Sequence, residues 1–194
     1  MIKGSEIRHA EHLVDHLFVD RWSPRAMSGE EIPADQLLSL FEAARWAPSS
    51  MNNQPWRMLY ASRSSNHWQL FFNLLVDSNK VWCANAAVLV VVVSKTTFAN
   101  GKPCRTHSYD SGAAWMSLAL QGSMLGLVVH GMQGFDYERA RTGLNIPDDF
   151  QVEAMAAIGL PGDPANLPEV LQAREIPSER RPLGQTIFEG PFTL

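Results

Sequence analysis

The apolar run from Ala86 to Val93 constrains the fold of this chain more than any other stretch. It is too short to span a bilayer, which takes about 20 apolar residues. Residues 88–94 are mostly valine, and β-branched side chains favour strands. A strand with one solvated face alternates apolar and polar residues, whereas one that is apolar throughout is covered on both faces. We therefore expect Val88–Ser94 to form a central strand of a sheet.

Periodicity places the other elements around that strand. A period near 3.6 predicts helices, and alternation predicts strands. The predicted helices are Ile7–Val19, Leu37–Ala47, Trp68–Val76, Tyr109–Leu127, Tyr137–Leu144 and Pro168–Arg174, and the further strands are Met58–Ala61 and Glu153–Leu160.

Composition narrows the class of protein. The 194 residues are 45% hydrophobic, which suits a single domain spanning 1–194. The net charge of -4 offers no basic surplus for nucleic acid, and no stretch predicts a membrane span. The N-terminus is too charged for a secretory signal, so we expect a cytoplasmic protein. The two cysteines give neither a disulfide framework nor zinc spacing.

A polar loop, Pro48–Trp56, joins a predicted helix to a predicted strand. Pro48 should end the helix, and Pro55 should hold Gln54 extended. Between the prolines stand two hydroxyls and three carboxamides, which can hydrogen-bond the edge of a flat heterocycle. The same side chains would also suit an ordinary loop that caps its own backbone.

Two stretches carry paired arginines. Residues 21–25, Arg-Trp-Ser-Pro-Arg, are extended or turning, and alternation places both arginines and the serine on one side. Such a group suits a phosphate or another anion, although a solvated surface segment has the same composition. The second pair, Arg180 and Arg181, precedes an apolar tail that we expect to cross the body or a partner chain.

Two other patterns suggest chemistry less strongly. His9, His12 and His16 would share one face of the first predicted helix, but no acidic or cysteine cluster completes a metal site. Cys104 and His107 have thiolate–imidazole spacing without an acidic residue to orient the histidine. We assign neither a metal nor a catalytic side chain.

The order of four elements resembles the nitroreductase-like FMN flavoprotein family. They are the 21–25 stretch, the segment 42–56 containing Pro-Ser-Ser and Asn-Gln-Pro-Trp, the glycine-bearing loop Met132–Asp136, and Arg181-Pro182-Leu183. The resemblance implies an α+β, nitroreductase-like fold, with a small mixed or antiparallel central sheet flanked by helices. It also implies an intertwined homodimer whose tail, 181–194, crosses the partner subunit.

The resemblance further implies FMN as the cofactor. The implied FMN contacts are Arg21, Trp22, Ser23, Arg25, Pro48, Ser49, Ser50, Asn53, Gln54, Asn79, Met132, Gln133, Gly134, Arg180 and Arg181. Of these, Arg21, Ser23 and Arg181 would hold the phosphate, and Arg25 would approach the N1–O2 side of the ring. Arg180 would take the place of a second basic phosphate ligand.

The implied activity is an NAD(P)H oxidoreductase that transfers hydride by a ping-pong scheme to a nitroaromatic or quinone-type acceptor. Reductive dehalogenation, oxidation of a heterocycle and non-catalytic flavin binding remain alternatives. The sequence does not name the acceptor or choose between NADH and NADPH.

Overall fold

The computed structural model describes residues 1–192. Residues 193 and 194, the end of the predicted tail, lie outside the described range. The helices are α1 His16–Asp20, α2 Ala34–Arg45, α3 Trp68–Phe72, α4 Asp77–Cys83, α5 His107–Met124, α6 Tyr137–Gly143 and α7 Glu169–Gln172, and the strands are β1 Trp56–Ser62, β2 Val88–Lys95, β3 Val128–Met132 and β4 Phe150–Gly159.

The four strands form one antiparallel sheet in the order β1-β2-β4-β3. β2 pairs with β1 on one side and β4 on the other, so the prediction of a central strand is confirmed. β1 and β3 are the edge strands.

The valines of β2 divide between two cores, one on each face of the sheet. Val88, Val90 and Val92 pack in the core with α2 and α5, while Val91 and Val93 pack in the core with α3 and α4. All five are buried. The unbroken apolar pattern therefore reflects helices on both faces of the sheet.

Small residues let α5 lie close to its neighbours. A Cβ at Gly122 would stand 2.3 Å from the Val129 side chain of β3 and 3.5 Å from Leu40 of α2. A Cβ at Gly131 would stand 2.7 Å from the Trp115 ring of α5. The small face of α5 thus packs within this chain, against β3 and α2.

The first predicted helix is wrong over most of its length. Only His16–Asp20 is helical, and the Asp15 side chain caps its start by accepting from Leu17 N at 2.8 Å. Leu13 and Val14, two apolar positions of that predicted helix, are exposed and offer no packing to stabilise a longer helix. His9 and His12 therefore share no helical face with His16.

Other boundaries shift near the predicted site. The helix predicted over 68–76 ends at Phe72, and Asn79 lies within α4 rather than beyond a helix. The glycine-bearing loop predicted at Met132–Asp136 begins one residue later, because Met132 ends β3 and pairs with Met155 of β4. Within residues 1–192, no helix is long and apolar enough to cross a membrane.

Candidate functional site

A cavity of about 660 Å³ lies where the 21–25 segment, the edge strand β3 and the C-terminal segment 173–180 meet. Five guanidiniums and an imidazole are among the groups that line it. They belong to Arg8, Arg21, Arg25, Arg174, Arg180 and His130, while Ser23 adds a hydroxyl and Glu179 a carboxylate. The predicted clustering of Arg21, Ser23 and Arg25 on one side of the chain is therefore seen in the structure.

The arginines of this cavity form no salt bridge in the described part of the chain, although Glu179 also lines it. No carboxylate there lies within 4.0 Å of the Arg21, Arg25, Arg174 or Arg180 guanidinium. Arg21 Nε is buried without a hydrogen-bond partner, and Arg21 Nη1 reaches only Ser23 Oγ, at 3.3 Å. Burial, and next the charge of Arg180, lowers the pKa of Arg21. A cavity lined by arginines without salt bridges favours a bound anion.

Arg8 braces one wall of the cavity. Its Nη1 donates to Val19 O at 3.1 Å and to Arg21 O at 2.9 Å, and its Nε donates to Ser178 O at 2.8 Å. These bonds join the N-terminal segment to the 21–25 segment and to the C-terminal segment. Sequence reasoning missed Arg8, because an arginine bound to backbone carbonyls far along the chain leaves no local signal.

His130 braces another wall and is neutral at pH 7. Burial lowers the pKa of His130 to about 4, against the opposing effect of its bond to Pro24 O. A neutral ring near a carbonyl donates, so Nδ1–H donates to Pro24 O at 2.8 Å. The Trp82 ring of α4 packs on it with centroids 4.5 Å apart. Nothing in the local sequence singles out this side chain, because its partners Pro24 and Trp82 lie far along the chain.

Asn79 and the 133–135 loop come together beside this cavity. Asn79 Nδ2 donates to Gly134 O at 3.0 Å, and its Oδ1 accepts from Trp82 Nε1 at 3.2 Å. A Cβ at Gly134 would stand 2.5 Å from Asn79 Nδ2, so this approach requires glycine. Trp82 contacts both Asn79 and His130, and it therefore links the loop to the arginine cavity.

Two predicted cofactor contacts have their side chains in the interior instead. Met132 is 9% exposed, and its Sδ lies 3.9 Å from the buried Cys83 Sγ. Trp22 is also 9% exposed, and its Nε1 donates to Ile2 O at 2.8 Å, although the residue touches the cavity. Both side chains point to the core because side chains alternate along an extended segment. Gln133, next to Met132, is exposed and carries the polar side chain of that loop.

The loop between Pro48 and Trp56 has a strained backbone. Met51, Asn52 and Gln54 have φ of 50°, 53° and 46°, a left-handed conformation that is uncommon outside glycine. The expectation that Gln54 is extended is wrong. Its backbone N donates to Ser49 Oγ at 3.0 Å, and its carbonyl accepts from Arg57 Nη1 at 3.0 Å. These contacts impose the strained conformation, and strain of this kind clusters at functional sites.

Residues of α5 and of the loop before it support this strained loop. Ser50 N donates to Asp110 Oδ2 at 3.1 Å, and Thr106 Oγ1 donates to the same oxygen at 3.1 Å. Asn53 Nδ2 makes long contacts of 3.5 Å to Thr97 O and Cys104 Sγ. Gln54 Nε2 donates to Asn52 O at 3.2 Å, so Gln54 braces the loop from within.

The predicted site residues thus form two groups on one chain. The first group lies at the arginine cavity and the β3 edge, and comprises Arg21, Trp22, Ser23, Arg25, Asn79, Met132, Gln133, Gly134 and Arg180. The second group, Pro48, Ser49, Ser50, Asn53 and Gln54, precedes β1 at the other edge. Three strand spacings separate the edges, roughly 14 Å.

The two C-terminal arginines differ in position. Arg180 lines the cavity with Arg21. Arg181 lines a neighbouring groove of about 320 Å³ between the N-terminal segment and the tail, beside His12 and Leu183. Arg180 therefore lies with Arg21 at the arginine cavity, which Arg181 does not line.

Comparison with known proteins identifies the family. Residues 19–81 match the sequence profile of the Nitroreductase family. A solved structure described as an oxidoreductase containing FMN is 49% identical, with a TM-score of 0.93 over 96% of each chain. The chain belongs to the nitroreductase-like family of FMN flavoproteins. The predicted family is therefore confirmed, as is the predicted α+β nitroreductase-like fold.

Two more distant relatives extend the comparison for this nitroreductase-like protein. A protein from Desulfovibrio desulfuricans, assigned as a nitroreductase and solved in complex with FMN, has a TM-score of 0.72 at 24% identity, over 95% of this chain and 100% of that one. An uncharacterized 15.4 kDa protein encoded in the ask 5' region of Mycolicibacterium smegmatis is 33% identical over 108 residues, 55% of this chain and 73% of that protein.

Proposed function

We propose that this nitroreductase-like protein is an FMN-dependent NAD(P)H oxidoreductase that acts as a homodimer. It passes hydride by a ping-pong scheme to a small acceptor of the nitroaromatic or quinone type. The observation that carries the proposal is the cavity lined by five arginines, none of them in a salt bridge within residues 1–192, next to the Asn79–Gly134 contact.

The cavity fits the phosphate of FMN. A phosphate offers several acceptor oxygens, and guanidiniums bind such oxygens through paired N–H groups. Arg21 and Arg180 would hold it, with Ser23 Oγ as a further donor. The buried and unpaired Nε of Arg21 would gain an acceptor. Burial, and next a neighbouring arginine charge, lowers the pKa of both Arg21 and Arg25, and a bound phosphate would stabilise their charged forms.

FMN supplies the hydride chemistry when bound, and this chain supplies position and charge. The Arg25 guanidinium would stabilise the negative charge that reduction adds at the N1–O2 side of the ring. The amide and hydroxyl groups of Ser49, Ser50 and Asn53 would bind the ring edge and ribityl chain. The strained backbone of residues 51–54 fixes these groups before the ligand binds.

The two groups of site residues support a homodimer. They lie at opposite edges of the sheet rather than side by side. A two-fold dimer could place the strained loop of one subunit over the arginine cavity of the other. Large apolar side chains near that loop are exposed, among them Trp46 at 73%, Met51 at 88% and Tyr109 at 82%. Exposed aromatic and methionine side chains are enriched at subunit interfaces.

The tail supports the same arrangement. Every residue from 178 to 192 is exposed on the single chain, including Ile187, Phe188 and Phe192. An apolar segment with so little contact to its own body would be covered by a partner subunit.

Activity measurements test the chemistry. The purified protein should show flavin absorbance bands at about one FMN per chain. Anaerobic mixing with NADH and with NADPH should bleach those bands, and a quinone or nitroaromatic should restore them. If FMN is bound and neither nucleotide bleaches it, the reductase assignment fails while flavin binding stands.

Subunit complementation tests the shared site. One variant carries Arg21→Ala and Arg180→Ala, and the other carries Ser50→Ala and Asn53→Ala. Unfolding and refolding the two together in equal amounts should restore about a quarter of the wild-type sites, because half of the dimers are mixed and each holds one intact site. Each variant refolded alone should stay inactive. Restoration of no activity would contradict a site shared between subunits.

A further inference from the structure

Glu175 is a buried carboxylate next to the arginine cavity. It is 6% exposed and follows α7. Its Oε1 accepts from Arg25 N at 2.6 Å and from Ala26 N at 2.7 Å, across about 150 residues of chain. Its Oε2 is buried with no hydrogen-bond partner. Glu175 itself is not among the proposed FMN contacts.

Two other contacts fix the same short segment. His130 Nδ1 donates to Pro24 O at 2.8 Å, and Ala26 O accepts from Gly162 N at 3.0 Å. With the two bonds to Glu175, the backbone from residue 24 to 26 is held from three directions. The Arg25 side chain therefore leaves a fixed backbone to reach the cavity.

A charge at position 175 is not needed to hold this backbone. The amide oxygen of a glutamine could accept the same two bonds, and burying an ionised carboxylate with a free oxygen is unfavourable. The charge does act on Arg25. Burial and the Arg174 charge lower the pKa of Arg25, whereas the Glu175 charge raises it. Glu175 therefore partly offsets the positive field that Arg25 brings to the cavity.

We propose that Glu175 is a positioning residue that holds Arg25 through the backbone and whose charge sets how strongly Arg25 favours the reduced flavin. This inference rests on the proposed function, in which Arg25 stabilises negative charge on the ring. Removing the charge should leave Arg25 less neutralised and should raise the midpoint potential of the bound FMN.

The first test is Glu175→Gln in the FMN-loaded protein. We expect oxidised FMN to bind within about threefold of wild type, because both backbone bonds persist. Reduced FMN should bind about tenfold more tightly, which corresponds to a rise of about 30 mV in the two-electron midpoint potential. Photochemical reduction against a reference dye measures the potential without NAD(P)H. A chain that binds FMN but lacks reductase activity would still show the shift, so the two claims can fail separately.

Two controls show whether the effect passes through Arg25. Glu153→Gln removes another partly buried carboxylate, one bonded to Ser108 Oγ at 2.7 Å and remote from residues 24–26, and should leave the potential unchanged. In an Arg25→Ala background, Glu175→Gln should shift the potential by less than a third as much as in wild type. An unchanged potential in Glu175→Gln, or an equal shift in both backgrounds, would overturn the proposal.

The second test concerns the backbone and needs no cofactor. Glu175→Leu removes the acceptor for Arg25 N and Ala26 N, whereas Glu175→Gln keeps it. In apo protein, the amide hydrogens of Arg25 and Ala26 should exchange at least tenfold faster in Glu175→Leu than in Glu175→Gln. Equal exchange in the two variants would refute the positioning role. If Glu175→Leu does not fold, wild type is compared with Glu175→Gln instead. The Arg25 and Ala26 amide exchange rates of these two proteins should then agree within about threefold, and a larger difference would refute the role.

Discussion

Replacing Arg21 with methionine should weaken FMN binding without weakening the apo fold. Methionine keeps the unbranched stem that packs in the cavity wall and removes the guanidinium. A hydrogen bond to a charged group contributes about 1.5–3 kcal/mol, so loss of the phosphate contact should raise the FMN dissociation constant roughly 10- to 150-fold.

The apo protein should respond in the opposite direction. Arg21 Nε is buried without a partner, and no carboxylate in residues 1–192 is paired with its charge. Removing such a group should raise the free energy of unfolding by about 1 kcal/mol. A gain in stability with a loss of ligand binding is the behaviour of a residue that serves function at the expense of stability.

Urea unfolding of apo protein and fluorescence titration with FMN measure the two quantities. Arg139 is exposed on α6 and lies outside the cavity, so Arg139→Met is the matched control. It should change neither the free energy of unfolding nor the FMN dissociation constant by much. If Arg21→Met destabilises the apo protein by more than about 1 kcal/mol and leaves FMN affinity intact, then Arg21 is structural and the phosphate assignment is wrong.

Three further outcomes can be checked with the same methods. Arg180→Ala should weaken FMN binding about tenfold or more, whereas Arg181→Ala should have a smaller effect on the titration because Arg181 lines the neighbouring groove. The folded-state pKa of His130, about 4, lies below its unfolded value, so the neutral ring is required and stability should fall as pH drops from about 6.5 to 4, by up to about 3 kcal/mol. His130→Gln should remove that part of the pH dependence in urea curves recorded at each pH, and an unchanged slope would contradict the buried neutral state. Gly131→Ala should cost about 1–3 kcal/mol in a thermal or urea scan, because its Cβ would stand 2.7 Å from the Trp115 ring.

The sequence predicted those elements whose pattern is local and long enough to be decisive. Val88–Ser94 became β2 because valine on both faces requires a cover on both faces. Asp136 has the residue type that favours an N-cap, and its side chain accepts from Arg139 N at 2.9 Å. The predicted first helix is wrong because two of its apolar residues, Leu13 and Val14, stay exposed instead of packing on a core.

The site was predictable in its residue types but not in its connections. The arginines and the polar loop showed in the sequence because charge, carboxamides and prolines are visible locally. Arg8 and Glu175 did not show, because their roles depend on bonds to Ser178 O and Arg25 N that span about 170 and 150 residues. The left-handed backbone of Gln54 also depends on partners outside its own tripeptide.

Cofactor binding and subunit assembly should therefore be coupled. The arginine cavity holds uncompensated charge, and the strained loop holds unfavourable backbone conformations, at opposite edges of the sheet. In a two-fold dimer, one bound FMN would stabilise both features. Its phosphate would neutralise the arginines, and its ring would contact the strained loop. A ligand that binds only the assembled site must favour assembly by the same free energy that assembly adds to its binding. Diluting apo protein should then give monomers at a concentration where FMN-loaded protein is still dimeric, which sedimentation velocity would show. Equal dissociation of apo and loaded protein would mean that one chain alone holds FMN, and the division of the site between subunits would have to be abandoned.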